Sequence, residues 1–376
     1  DPQCLNPDSK IPTPHMDRLA GQGVTFTNAH SPSSVCTPTR YALLTGRYAW
    51  RTRLKKGVLG YWSPPLLESG RLNMATLLKE RGYNTACIGK WHLGWHWPTT
   101  DGIRPKQNSM AENIDWSKPI TGGPTDRGFD YYFGDNVPNT PPYCYIENDR
   151  AQGVPTEPKP DSMFGALGPM KKGWDLTQVM PDLTQKSVEW LEKQSRDTPF
   201  FLYFALTAPH TPIAPSPEFI GKSGAGRYGD YVHQVDWSIG QIMRTLNEQG
   251  LAENTLFIMT SDNGSPARDG RNMSGPIYSV VENYGHNPSY IYRGIKADIW
   301  DGGHRVPFFV RWPGKLKAGR SCDAPICQVD LMATVAGILD YPLPEHAAED
   351  SYDLLPVLLD KEHDKPFRKA IVHHSY

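Results

Sequence analysis

The 376-residue chain is close to electroneutral, with 39 Lys and Arg against 40 Asp and Glu and a net charge of −1, so its overall charge argues for neither nucleic acid nor an anionic membrane surface as a partner. No apolar run in it is long enough to span a bilayer. The length suffices for a large core and divides naturally into one large domain, residues 1–340, and the start of a smaller one, residues 341–376.

In chain order, residues 24–29 alternate as a strand, residues 40–44 read as helix, and a helix over 74–81 leads into a short buried strand at 85–88. Residues 95–181 are rich in Pro, Gly, Trp and Tyr and lack periodicity, which predicts a long functional insertion that walls a pocket. Residues 200–205 form a continuous apolar run, the pattern of a strand buried on both faces. Over 227–249 a helical stripe of Val232, Val235, Ile239, Ile242, Met243 and Leu246 stops at Gly250. A second buried strand over 255–260 runs directly into Asp262, and the irregular stretch 264–291 after it predicts an opposite wall. Residues 369–376 read as one more strand, entering the smaller domain. Strands and helices alternating with short joins predict an α/β fold with an open, doubly wound, mostly parallel sheet flanked by helices.

Chemistry concentrates at the ends of these strands. The run from Ser34 to Gly46 contains Cys36-x-Pro38-x-Arg40. It predicts a helix with Thr37 as N-cap and Pro38 at the first helical position, so that Cys36 lies where backbone N–H groups favour an oxyanion. Lys90 and His92 follow the strand at 85–88, at the carboxyl edge where open sheets bind ligands. His210 lies just beyond the strand 200–205. Asp262 and Asn263 are oxygen ligands suited to a hard divalent cation, although Ser261-Asp262-Asn263-Gly264 taken alone is a turn sequence. His96, between Trp95 and Trp97, is a candidate substrate contact, and both tryptophans are candidates to stack on a sugar or aryl ring. His233, His286 and His304 read as packing or surface histidines. Of the six cysteines, Cys322 and Cys327 are close enough in sequence for a local disulfide, and no Cys-x-x-Cys pair suggests zinc.

Cys36-x-Pro38-x-Arg40 and the segment from Gly82 to His92 together resemble the signature segments of the sulfatases. Arg127-Gly128-Phe129-Asp130, Ala208-Pro209-His210-Thr211-Pro212, Ser261-Asp262-Asn263-Gly264 and the run Asp301 to Pro307 follow in that family's order. The resemblance implies sulfate monoester hydrolysis. Cys36 would be oxidised to formylglycine by a formylglycine-generating or anaerobic maturation enzyme, and the hydrated aldehyde would attack sulfur. Arg40 would hydrogen-bond the hydrate, Lys90 and Lys296 would hold sulfate oxygens, and His210 would contact the ester and protonate the leaving oxygen. His92 would orient or deprotonate the hydrate so that it can collapse and expel sulfate. For Lys296 the neighbourhood Tyr292 to Ala297 departs from the family's usual glycine-rich pattern.

The same resemblance implies one Ca2+ held by Asp262, Asn263 and the modified Cys36. A hydrophobic strand and a pair of metal-binding aspartates are expected upstream of the segment matching Cys4 to Ala20, and more of the C-terminal subdomain beyond Tyr376. The expected substrate is a sulfated small molecule or glycan, and the expected location periplasmic or secreted. Two alternatives are a phosphonate monoester or phosphodiester hydrolase of the same superfamily, and a non-catalytic protein that binds sulfated glycans.

Overall fold

The computed structural model describes residues 1–361, 367–368 and 370–374. Its strands fall mainly into two sheets. In the first, β3 (Asn84–Gly89) is central, flanked by parallel strands β4 (Tyr131–Gly134) and β9 (Phe200–Ala205), with the short antiparallel pair β5 (Ile146–Glu147) and β6 (Arg150–Ala151) beyond β4. In the second, β11 (Phe308–Arg311) lies antiparallel between β10 (Phe257–Thr260) and β1 (Val24–Phe26), and β12 (Arg320–Cys322) pairs parallel with β1. Two small pairs complete the set: β2 (Ala29–His30) with β13 (Ile326–Cys327), and β7 (Glu157–Pro158) with β8 (Pro169–Met170).

Helices cover both faces. On β9, Phe201 and Tyr203 pack toward the core that contains α2 (Cys36–Thr45), α3 (Met74–Glu80) and α8 (Leu331–Ile338). Phe200, Leu202 and Phe204 pack toward α4 (Val179–Leu191) and α5 (Gly226–Glu248). This alternation is what a strand sandwiched between helix layers requires, and it bears out the α/β, helix-flanked architecture. A further helix, α1 (Pro14–Gly21), joins the α5 side, where the Asp236 carboxylate accepts from the backbone N–H of His15 and Met16 and so satisfies the helix start.

Three expectations are corrected. The stretch 95–181 is not wholly an insertion, because β4 within it is a strand of the first sheet, in register Cys87↔Tyr132 with β3. The strand expected over 24–29 is broken after Phe26, and Ala29 and His30 pair elsewhere. Finally, β9 and β10 are largely half-buried rather than buried. The cause is geometric. No ladder joins β9 to β10, and a cavity of about 1080 Å³ runs between them, lined by both strands from Thr198 and Thr255 at one end to His210 and Asp262 at the other.

Beyond residue 340, α9 (Leu355–Leu358) and Ala348 pack into the same core as Tyr41 and Leu77. Of the strand expected over 369–376, Lys369, Ser375 and Tyr376 lie outside the described residues, and His374 forms an isolated bridge with Ser33.

Candidate active site

The helix α2 starts at Cys36, with Val35 in extended conformation before it, rather than being capped by Thr37. The hydroxyls explain the shift. Ser33 Oγ accepts from Val35 N, Thr39 Oγ1 donates back to the Ser33 carbonyl, and Thr37 Oγ1 is turned away to accept from Leu59 N. Cys36 is thereby held in the first turn, 4 % exposed.

The chain leaves β3 through Gly89, whose φ is +113° and whose missing side chain lets the Ala205 carbonyl approach to 2.0 Å of where a Cβ would stand. Lys90 N then donates to that same carbonyl, and His92 takes a left-handed backbone conformation, φ 54°. A non-glycine residue held there is a local strain of the kind that accompanies functional positions. His92 Nε2 lies 3.0 Å from the Leu59 carbonyl and Nδ1 3.3 Å from Cys36 Sγ. A carbonyl only accepts, so Nε2 carries a proton and Nδ1 is the nitrogen that faces the sulfur.

The third and fourth sides come from β9 and β10. Arg40 donates through Nε and Nη2 to Asp262 Oδ2, at 3.0 and 2.9 Å, and through Nη1 to the Lys90 carbonyl at 2.7 Å. The guanidinium thus ties the β10 end to the β3 end. His210 Nδ1 donates to the Thr211 carbonyl at 2.6 Å, so its Nε2 is the free nitrogen. Lys296 is anchored by its backbone N–H on the Ser265 carbonyl and lines the same cavity as Lys90, His210, Asp262 and Asn263. Asn263 Oδ1 is buried with no donor facing it. Together with the charged Asp262 carboxylate, this orphaned oxygen is the donor type a hard divalent cation takes, so the residues present fit such an ion.

The electrostatics follow from these neighbours. Burial pushes the Cys36 thiol up, but Lys90, His92 and Lys296 together carry it well below its ordinary value. Burial likewise opposes ionisation of Asp262, and Arg40, Lys90 and Lys296 overcome it, holding the carboxyl at about 2. Burial lowers Lys90, and burial followed by Lys296 and Lys90 lowers His210 well below the usual histidine value. His210 in the free protein is therefore a neutral imidazole at pH 7.

Not every expected residue arrives here. His96 is exposed, its backbone paired with Thr121. Trp95 and Trp97 are core residues, 1 % and 9 % exposed and packed on Tyr132, Trp62 and Trp116, so neither can stack on a substrate ring. Cys322 and Cys327 are unpaired, lying in separate strand pairs. One residue was missed. Asp135, 3 % exposed at the end of β4, has a buried carboxylate oxygen without a donor, and burial raises it to about 6 against the pull of Lys90 and Arg40. Its signal was a carboxylate directly after a parallel strand, hidden because β4 was read as part of the insertion.

Comparison with known proteins gives the family and the fold. Residues 5–341 match the family described as Sulfatase. The chain is 36% identical to an N-acetylgalactosamine-6-O-sulfatase of Bacteroides thetaiotaomicron, over 94% of this chain and 73% of that protein. It is 34% identical to the steryl-sulfatase of Rattus norvegicus, over 92% of this chain and 66% of that protein. A solved structure associated with the metabolism of multiple glycosaminoglycans by Bacteroides thetaiotaomicron superposes with a TM-score of 0.82 at 33% identity, covering 97% of this chain and 80% of its own.

Proposed function

The chain belongs to the sulfatase family of sulfuric ester hydrolases, and from that premise we propose that it removes a 6-O-sulfate from an amino sugar of a sulfated glycan. The observation that carries the reading is Cys36 in the first turn of α2, with His92 Nδ1 at 3.3 Å and the cations Lys90 and Lys296 lowering its pKa. The choice of substrate is supported by the likeness to an N-acetylgalactosamine-6-O-sulfatase.

In this mechanism Cys36 is converted to formylglycine by a dedicated maturation enzyme, and the hydrated aldehyde supplies the nucleophilic oxygen. Asp262 and Asn263 would hold the divalent cation, Ca2+ in our proposal, which screens the sulfate oxygens. Lys90 and Lys296 bind those oxygens as compact point charges. His92, fixed by the Leu59 carbonyl, takes a proton at Nδ1 from the group at position 36. Arg40 keeps Asp262 ionised and in place. His210 offers Nε2 to the leaving oxygen, and the bound sulfate's negative charge raises its pKa so that it can be protonated there. The proposal includes one further apolar strand between β9 and β10, carrying the two aspartates that the family resemblance implies. What supports it is a cavity that follows both unpaired edges and opens onto Asp262 and Asn263. No helix among the described residues is long and apolar enough to cross a membrane, and we place the protein in the periplasm or outside the cell.

The test is the mass of the peptide spanning residues 19–40 after co-production with a maturation enzyme, followed by turnover of 6-sulfated N-acetylgalactosamine, an aryl sulfate and a phosphonate monoester. An aldehyde at position 36 with preference for the sulfated sugar supports the reading. Faster turnover of the phosphonate overturns it, and an unmodified thiol points instead to a non-catalytic glycan-binding protein.

A further inference from the structure

Apart from the catalytic cluster, three histidines from distant parts of the chain meet: His30 at the end of β2, His304 at the end of α7 (Asp301–His304), and His373 in the C-terminal segment. His30 and His304 are 7 % and 4 % exposed, and one nitrogen from each of the three rings lies within 4.8 Å of the others.

The opposite nitrogens are all engaged. His304 Nε2 lies 3.0 Å from the Ile299 carbonyl, His373 Nδ1 3.2 Å from the Ser31 carbonyl, and His30 Nε2 2.9 Å from Asn28 Oδ1. Oxygens of this kind accept, so the outward nitrogens carry the protons and the inward ones present lone pairs. Outer hydrogen bonds to carbonyl oxygens are how metal-binding histidines are oriented. The arrangement brings His30 Nδ1 and His304 Nδ1 to 3.0 Å of each other.

We propose that His30, His304 and His373 form a three-imidazole site for a divalent transition metal of the zinc class, separate from the oxygen-donor site at Asp262 and Asn263. Neutral imidazoles without carboxylates favour Zn2+, Co2+ or Ni2+ over Ca2+. With bonds of about 2.0–2.1 Å, a tetrahedral centre spaces its nitrogens by about 3.4 Å, close to the His30 to His304 separation. His373, stacked on His304 with ring centroids 3.6 Å apart, tilts out of the stack to turn its lone pair to the ion. The bound metal would pin β2 and α7 to the C-terminal segment and steady the backbone leading to Cys36, since Ser31 N donates to the His304 carbonyl and Ser33 Oγ to the His374 carbonyl.

The experiment titrates the chelator-stripped full chain with Co2+, reading visible absorption, and then displaces it with Zn2+ followed by calorimetry. One equivalent with intense, tetrahedral-type bands is expected. It should be lost in His373→Gln and His30→Gln, weakened roughly 10–100-fold in Asn28→Ala, and retained in Asp262→Asn. Nitrogen NMR of the parent protein should show three histidine resonances shifting with Zn2+, a readout that does not depend on any variant folding. No stoichiometric binding, binding that survives both histidine variants, or unmoved histidine resonances would overturn the proposal.

Discussion

Cys36 Sγ sits 3.3 Å from His92 Nδ1 while the far side of that imidazole is committed to the Leu59 carbonyl. The ring therefore cannot rotate away from position 36 without abandoning a buried hydrogen bond, and its tautomer is set before any substrate arrives. The direct consequence concerns protein made without maturation. There the Cys36 thiol should ionise well below the ordinary thiol range, so its reaction with a small alkylating agent should already be fast at neutral pH. His92→Ala should shift that profile upward. The alkylation rate against pH checks both, and an unshifted profile in the variant would remove His92 from the account.

The pair Arg40 and Asp262 should be visible in acid unfolding. Asp262 has its carboxyl held at about 2 in the folded chain, below its unfolded value of 3.8. Its contribution is therefore fully present above about pH 4 and is lost as pH falls through 2. Replacing it by Asn leaves a buried guanidinium next to Lys90 with no counter-charge. We expect a loss of roughly 2–3 kcal/mol, less than for a fully enclosed pair because Asp262 keeps some solvent. Denaturant midpoints of parent and D262N at pH 7 and pH 3 should show the gap narrowing in acid.

His210 should separate two kinetic pH profiles. Buried and near two lysines, it is neutral in the free protein, whereas a bound sulfate ester raises its affinity for a proton. If it is the general acid, kcat should hold up to a higher pH than kcat/KM does. His210→Gln should lower kcat by about 10²–10⁴-fold on substrates with poor leaving groups, and much less on an activated aryl sulfate. Identical profiles on both parameters would assign proton donation elsewhere.

Asp135 offers a test of a residue no motif announced. Its carboxyl, raised to about 6 by burial, changes charge within the working range of such an enzyme. Asp135→Asn removes a negative charge near Lys90 and Arg40. The acidic limb of the activity profile should flatten around pH 6 if that ionisation matters, and remain as it is if Asp135 only packs.

Much of this was readable in the chain because the site residues sit in short fixed-spacing blocks, each placed by the end of a strand. Lys90, His210 and Asp262 follow directly from where β3, β9 and β10 stop. What was not readable depends on partners distant in sequence. β4 has four residues in a Pro- and Gly-rich region and shows no period, so only its pairing with β3 reveals it. The N-cap shift at α2 depends on Leu59 engaging Thr37. Trp95 and Trp97 look like ligand platforms in sequence, yet the neighbouring tryptophans bury them. The three-histidine cluster required residues 30, 304 and 373 to be brought together by the fold.

The open edges of β9 and β10 make a prediction at single-amide resolution. Asn84 N donates to the Pro199 carbonyl and Lys90 N to the Ala205 carbonyl, so the odd-numbered residues of β9 point their backbone groups at β3. Those of Leu202 and Phe204 point into the cavity. With the further strand proposed above in place, Leu202 and Phe204 should exchange as slowly as Phe201 and Tyr203, and far faster exchange at the even-numbered pair would refute that strand.

Those same edges define what can occupy the cavity between the two sheets. Two rows of unpaired peptide groups, carried on strands rich in Phe, Leu and Ile, are templates for any other extended polypeptide, including another molecule of this one. A single extended segment that pairs with both edges would fuse the two sheets into one continuous layer.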